Sequence, residues 1–81
     1  MVSSNEFTMY PNPARSTVSL QIDKLVGSGS IVVTDLYGKQ VKQQALSMGN
    51  NNVDVSNLAK GFYLVSIITS EGKTTKKLIV E

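Results

Sequence analysis

The sequence has no cysteine, no histidine and no tryptophan among its 81 residues. Without cysteine, neither a disulfide framework nor a thiolate zinc site can stabilise this small fold. Without histidine, metal sites and acid–base catalysis lose the side chain that they most often use. We therefore expect a protein that is not an enzyme and that holds no cofactor.

The charge is nearly balanced, with eight Lys and Arg against six Asp and Glu and a formal net charge of +2. A small domain that binds phosphates needs a denser basic surface, so we expect no nucleic-acid partner. The longest apolar stretch, residues 62–68, contains Ser66 and is too short to cross a bilayer as a helix. Residues 1–6 lack the basic start and apolar centre of a secretory signal, which by itself indicates a cytoplasmic protein or a piece of a longer one.

Apolar and polar residues alternate along most of the chain, and no window keeps helical spacing for three turns. The clearest case is residues 17–22, where Val18, Leu20 and Ile22 share one face. We predict an all-β fold, a small antiparallel seven-stranded immunoglobulin-like β-sandwich, with a half-closed barrel as the alternative. The seven predicted strands are residues 6–10, 17–22, 31–34, 40–46, 53–55, 62–69 and 74–80.

Turn residues separate the predicted strands. Asp35 and Gly38 favour a tight turn, because a carboxylate can accept turn N–H groups and glycine tolerates positive φ. Residues 56–61 are predicted to form one helical or 3₁₀ turn with Ser56 as its cap, and residues 49–52 to form a reversal. Residues 62–69 carry large residues on both faces, which predicts the central strand. The remaining turns are predicted at residues 11–13, 23–30 and 70–73.

No group of residues has the pattern of a catalytic or sugar-binding site. Asp35 and Asp54 are the carboxylates nearest to a catalytic pair, but a turn and strand alternation explain them more simply. Residues 27–29 have the glycines of a phosphate loop without its Lys-Ser/Thr ending. The aromatic residues fall in different segments, which argues against a stacking platform. They are Phe7, Tyr10, Tyr37, Phe62 and Tyr63.

Lys73, Lys76 and Lys77 crowd the last nine residues of the chain. One interpretation is an edge strand that its lysines keep soluble. The other is a recognition strand whose exposed edge adds to the sheet of a partner. Both interpretations place the last strand at an open edge.

Four ordered segments resemble the type A C-terminal sorting domain of type IX secretion system cargo. The resemblance covers about residues 7–81, and the order and spacing of the segments make it more specific than any one of them. The segments are residues 10–13 (Tyr-Pro-Asn-Pro), 35–41 (Asp-Leu-Tyr-Gly-Lys-Gln-Val), 58–63 (Leu-Ala-Lys-Gly-Phe-Tyr) and 76–80 (Lys-Lys-Leu-Ile-Val).

The resemblance implies a secretion signal that is covalently continuous with a larger N-terminal cargo. The cargo would cross the inner membrane by its own signal. The outer-membrane type IX translocon and its shuttle proteins would then recognise the domain in the periplasm. A surface cysteine-protease-like sortase would remove it, with cargo at the cell surface or released. Residues 1–6 are then expected to be a linker from the parent protein with an added start at Met1, and residues 7–81 the sorting domain.

The resemblance also places the signal elements of the family residue by residue, and physical reasoning divides them into two groups. Residues 76–80 are expected to contact the translocon directly: Lys76, Lys77, Leu78, Ile79 and Val80. A second group is expected mainly to shape the fold: Pro11, Asn12, Pro13, Asp35, Gly38, Gly61 and Tyr63. Two alternatives come from other functional classes. One is a spacer or carbohydrate-binding module of an extracellular enzyme, and the other is a protease inhibitor that uses the loop at residues 23–30.

Overall fold

The computed structural model describes residues 7–11, 14–22, 28–70 and 72–81. The predicted linker at residues 1–6, Asn12, Pro13 and most of the predicted loop at 23–30 lie outside these ranges, as does Glu71. Within the described ranges, no helix is long and apolar enough to cross a membrane. The seven strands are β1 (Thr8–Tyr10), β2 (Thr17–Ile22), β3 (Gly29–Asp35), β4 (Gln40–Ala45), β5 (Gly49–Asp54), β6 (Gly61–Thr69) and β7 (Gly72–Val80).

The strands form two antiparallel sheets. One sheet has the order β1-β2-β5 and the other has the order β4-β3-β6-β7. If the strands are lettered A, B, C, C′, E, F and G in chain order, the sheets are ABE and C′CFG, an immunoglobulin-type arrangement without strand D. This confirms the predicted all-β sandwich. The half-closed barrel is not observed, because the strands separate into two sheets.

The core lies between the two sheets and follows the alternation of the strands. Val18 and Leu20 of β2 are fully buried, as are Val33 of β3 and Val65 of β6. β6 lies between β3 and β7, as its composition predicts. Its second face stays at the surface, where Phe62 is 48% exposed, because a two-layer sandwich has no third layer to cover it.

The asparagine-rich segment is part of a strand and not the predicted reversal. β5 begins at Gly49, and Asn51 is buried with only 6% of its surface exposed. Its side-chain amide donates to the Ser47 carbonyl at 2.8 Å and its Oδ1 accepts from the Ser47 N–H at 2.8 Å. Asn51 can therefore occupy an inward strand position, because the preceding loop supplies the hydrogen bonds that burial requires.

The connection between β5 and β6 contains one turn with the i→i+3 hydrogen bond of a 3₁₀ turn, but it closes over residues 55–58 and not over the predicted 56–61. The Leu58 N–H donates to the Val55 carbonyl at 3.1 Å. The cap is Asp54 and not Ser56, since the Ser56 N–H and hydroxyl both donate to Oδ1 of Asp54. The Tyr63 hydroxyl donates to the Ala59 carbonyl at 2.6 Å, which is the tyrosine corner of immunoglobulin-like sandwiches. Leu58 packs against the core, as predicted.

β7 is an edge strand of its sheet, as predicted, but its C-terminal end is paired and not open. The Ala14 N–H donates to the Ile79 carbonyl at 2.7 Å, and the Glu81 N–H donates to the Ala14 carbonyl at 2.8 Å. These bonds form a parallel bridge between Ala14 and Val80. On the other side of the sandwich, the Gln44 side chain of β4 donates to the Asn52 carbonyl of β5. Main-chain groups at both sides of the sandwich are thus partly covered.

We expect the Tyr63→Phe variant to lose about 1 kcal/mol of unfolding free energy, because it removes the hydroxyl that satisfies the Ala59 carbonyl. Urea denaturation measures this loss. Tyr37→Phe is the matched control, because Tyr37 is 97% exposed and should stay within about 0.5 kcal/mol of the parent chain. Equal stability of both variants would contradict the role of the corner.

Stability should also depend on pH through Asp54. The Ser56 hydroxyl and N–H, with a smaller contribution from Lys42, hold the pKa of Asp54 below its usual 3.8. A carboxyl whose pKa is lower in the folded than in the unfolded state stabilises the fold at any pH above its unfolded-state pKa. This stabilisation is lost as the pH falls through the folded-state pKa. Ser56→Ala should therefore cost more stability at neutral pH than in strong acid.

Urea midpoints at about pH 7 and about pH 2.5 measure this difference. Ser47→Ala serves as the control, because Ser47 bonds Asn51 through its backbone groups. The stability of this variant relative to the parent chain should be the same at both pH values. A Ser56→Ala loss that does not shrink in acid would rule out the Asp54 contribution.

Candidate functional site

A shallow cleft lies where the β3–β4 turn meets the start of β6. The two segments are adjacent because β3 pairs with β6, with Asp35 opposite Tyr63. The cleft has a volume of about 240 Å³. We call it the Tyr37 cleft, and its lining residues are Asp35, Leu36, Tyr37, Lys60, Gly61, Phe62 and Tyr63.

One wall of the cleft is the β3–β4 turn, which Asp35 organises. Its Oδ1 accepts hydrogen bonds from the N–H groups of Tyr37 and Lys39, each at 2.9 Å. Its backbone carbonyl accepts from the Gly38 N–H at 3.1 Å, and Gly38 has a φ of 87°. Residues 35–38 thus form a tight turn that projects from the sheet. Leu36 and Tyr37 lie at its tip, where they are 58% and 97% exposed.

The opposite wall is the first part of β6, which carries Phe62 on its outer face. Lys77 of β7 lies beside it, with Nζ 4.9 Å from the centre of the Phe62 ring. This is within the range of a cation–π interaction. Ile79 is the cross-strand partner of Phe62. The outer face of β7 therefore extends the cleft surface with one charged and one apolar side chain.

Lys76 and Lys77 lie on opposite faces of β7, although they are adjacent in sequence. Lys76 pairs with the buried Val65, so it shares the inner face, and its Nζ is 5.2 Å from the Phe7 ring. Lys77 lies on the outer face with Phe62. Lys76 thus borders the sandwich interior, where an inward lysine discourages edge-to-edge association.

The other residues of the predicted recognition segment also divide between the two faces. Leu78 is fully buried and Val80 is 3% exposed, so both are part of the core. Ile79 is half-buried on the outer face. In the folded domain a partner could therefore reach Lys76, Lys77 and Ile79, whereas Leu78 and Val80 can act by anchoring the strand. Direct contact with a translocon stays a prediction.

The structure places most of the motif residues expected to shape the fold. Gly61 begins β6 with a φ of 148°, a value that side chains disfavour. Pro11 is exposed directly after β1, and Tyr63 is buried at the corner. Their part in sorting stays a prediction.

The two carboxylates that sequence inspection singled out belong to different sheets. Asp35 ends β3 and Asp54 ends β5, and each accepts hydrogen bonds within its own turn. The described residues contain no group of three or more His, Cys, Asp or Glu side chains that could hold a metal. Glycosidase-like chemistry would need two carboxylates that face one cleft. Among the lining residues of the Tyr37 cleft, Asp35 is the one that carries a carboxylate.

The shared cleft of Tyr37 and Phe62 is the feature that the sequence did not predict. Their separation in the chain argued against a shared surface, but the β3–β6 register brings both into one cleft. Tyr63 also lines the cleft, although most of its surface is buried at the corner, whereas Phe7 faces the core and Tyr10 lies in the other sheet. The sign that the sequence offers is that Tyr37 and Phe62 each stand in or directly beside a predicted turn.

Comparisons with known proteins agree with this arrangement of motifs. Residues 8–81 match the family described as "Secretion system C-terminal sorting domain". The chain is also 27% identical to Beta-agarase A of Zobellia galactanivorans over 78 residues. That match covers 96% of this chain and 14% of the relative, so the chain spans about one seventh of the length of the relative. The chain belongs to the family of type IX secretion C-terminal sorting domains that its four motifs predicted.

Proposed function

We propose that this domain directs a larger cargo protein across the outer membrane through the type IX secretion system. In this proposal, the translocon and its shuttle proteins recognise the folded domain in the periplasm. A surface cysteine-protease-like sortase then removes it, and the cargo stays at the surface or is released. Membership of the sorting-domain family supports the proposal, as does the match to a relative about seven times longer.

The observation that carries the proposal is the meeting of three motif segments at one end of the sandwich. The turn at residues 35–39 and the segment at residues 60–63 form the Tyr37 cleft, and Lys77 lies over Phe62 beside it. A signal that depended on residues 76–80 alone would not need this arrangement. We therefore propose that the translocon recognises a folded surface and not only an extended tail.

The roles within residues 76–80 follow from the alternation of β7. Lys77 and Ile79 would contact the export machinery from the outer face, and Lys76 from the edge of the sandwich. Leu78 and Val80 would act by anchoring β7 in the core, where both are buried. Residues at turns and corners, such as Asp35 and Tyr63, would preserve the shape on which this surface depends.

Export of a reporter fused to the N-terminus of this chain tests the role of the lysines. We expect Lys77→Ala and the Lys76→Ala/Lys77→Ala double variant to reduce surface delivery several-fold while the domain stays folded. Lys73→Ala is the matched control, since it removes the same charge from the same strand at a position opposite Ile68. Cell-surface reporter activity and urea midpoints of the purified variants are measured together. Normal export of a folded double variant would show that these lysines are not recognised.

Deletion of residues 78–81 tests the sorting function itself. It removes two core residues and the bonds of β7 to Ala14, so the fold and the signal should fail together. The reporter is then expected to accumulate in the periplasm, as fractionation of the cells would show. A reporter with the intact domain should reach the surface in the same strain. Surface delivery after the deletion would contradict the proposed sorting function and favour a spacer module.

A further inference from the structure

Three exposed apolar side chains converge on the Tyr37 cleft. Leu36, Tyr37 and Phe62 are 58%, 97% and 48% exposed, and all three line it. Single exposed apolar residues are ordinary on a soluble protein, and Tyr10 and Met48 are examples elsewhere on this one. Three such side chains around one concave site expose a patch of apolar surface, and binding of a partner would remove this patch from water. Aromatic residues are also enriched at protein–protein interfaces.

Lysine side chains lie at the rim of the cleft. Lys60 lines it, Lys77 lies over the Phe62 ring, and Lys39 ends the turn. The Asp35 carboxylate accepts the turn N–H groups through Oδ1, which satisfies part of its charge. Glu81 follows Val80, the strand partner of Gly61, and Asp54 lies at the same end of the sandwich, opposite Thr17 at the start of β2. Lys60 and Lys77 are the cations that lie directly beside the apolar walls of the cleft, and they favour an acidic ligand there.

The size and shape of the cleft favour a protein side chain over a small molecule, a sugar ring or a membrane. Its volume of about 240 Å³ is below the roughly 300–1,000 Å³ of pockets that hold small-molecule ligands. Lys77 already occupies one face of the Phe62 ring, which limits stacking of a sugar there. A flat bilayer surface would cover Tyr37 but would not fill the concave space between the two walls.

We infer that the Tyr37 cleft binds a segment of a partner protein that carries an aromatic side chain flanked by carboxylates. The aromatic side chain inserts between Leu36 and Phe62 and meets the Phe62 ring edge to face, since Lys77 occupies one ring face, and Tyr37 packs over it. The flanking carboxylates pair with Lys60 and Lys77. The inference rests on the proposed function only for the identity of the partner, as a component that the domain meets during export. The binding chemistry follows from the cleft itself.

NMR titration of the 81-residue chain tests the binding with three defined peptides: acetyl-Glu-Phe-Glu-amide, acetyl-Lys-Phe-Lys-amide and acetyl-Glu-Ala-Glu-amide. We expect millimolar Glu-Phe-Glu to shift the Leu36 methyl and the Tyr37 and Phe62 ring signals, and added salt to weaken the effect. Tyr37→Ser should weaken binding about tenfold. Met48→Ser is the matched control, because it removes another exposed apolar residue, 55% exposed, outside the cleft.

Three outcomes would overturn the inference. The first is the absence of shifts at the cleft with Glu-Phe-Glu, and the second is equal shifts with either control peptide. The third is binding to phosphatidylglycerol vesicles that is tighter than binding to Glu-Phe-Glu and that is lost in the Tyr37→Ser variant. That result would identify a membrane-docking surface. The spectrum of each variant reports whether it is folded.

Reporter export separates this inference from the proposed function. If Glu-Phe-Glu fails to bind and the parent chain still delivers its reporter to the surface, the cleft inference fails alone. If Glu-Phe-Glu binds and the parent chain does not deliver its reporter, the sorting function fails and the peptide site stands. Reduced export by Tyr37→Ser, with normal export by Met48→Ser, would support a partner within the export machinery.

Discussion

The contact between the inner faces of the two sheets is the constraint on which the rest of this domain depends. The chain has no cysteine, so burial of alternating apolar residues must stabilise the fold without a disulfide. Leu20 of the first sheet and Ile31, Ile67 and Leu78 of the second are the largest fully buried side chains. Because Leu78 belongs to this core, the C-terminal motif is inseparable from the folded domain.

The alternation that builds the core also decides which motif residues can meet a partner. A strand directs successive side chains to opposite faces, so burial of Leu78 and Val80 leaves Lys77 and Ile79 on the outer face. The same rule directs Lys76 to the sandwich edge beside Phe7. One short segment therefore combines anchoring, edge protection and surface display.

Much of the fold and part of the site could be predicted from local patterns. Alternation identified β2, large residues on both faces identified the interior position of β6, and Asp35 with Gly38 identified the β3–β4 turn. The order of four motifs predicted the family. Prediction failed where pairing with another strand or the choice of a hydrogen-bond partner decides local conformation: Asn51 lies in β5 opposite Leu20 of β2, and Ser47 satisfies its buried amide. Ser56 is not a cap, because Asp54 accepts its hydrogen bonds.

The sequence by itself determined the strand periodicity, the turn chemistry and the family, because each depends on neighbouring residues or on the order of short motifs. The tertiary structure alone decided that Tyr37 and Phe62 share a cleft, that Lys76 lies beside Phe7 and Lys77 beside Phe62, and that Ala14 pairs with the end of β7. These features depend on strand register and sheet packing. Both are set by contacts between residues far apart in the chain, which local patterns do not encode.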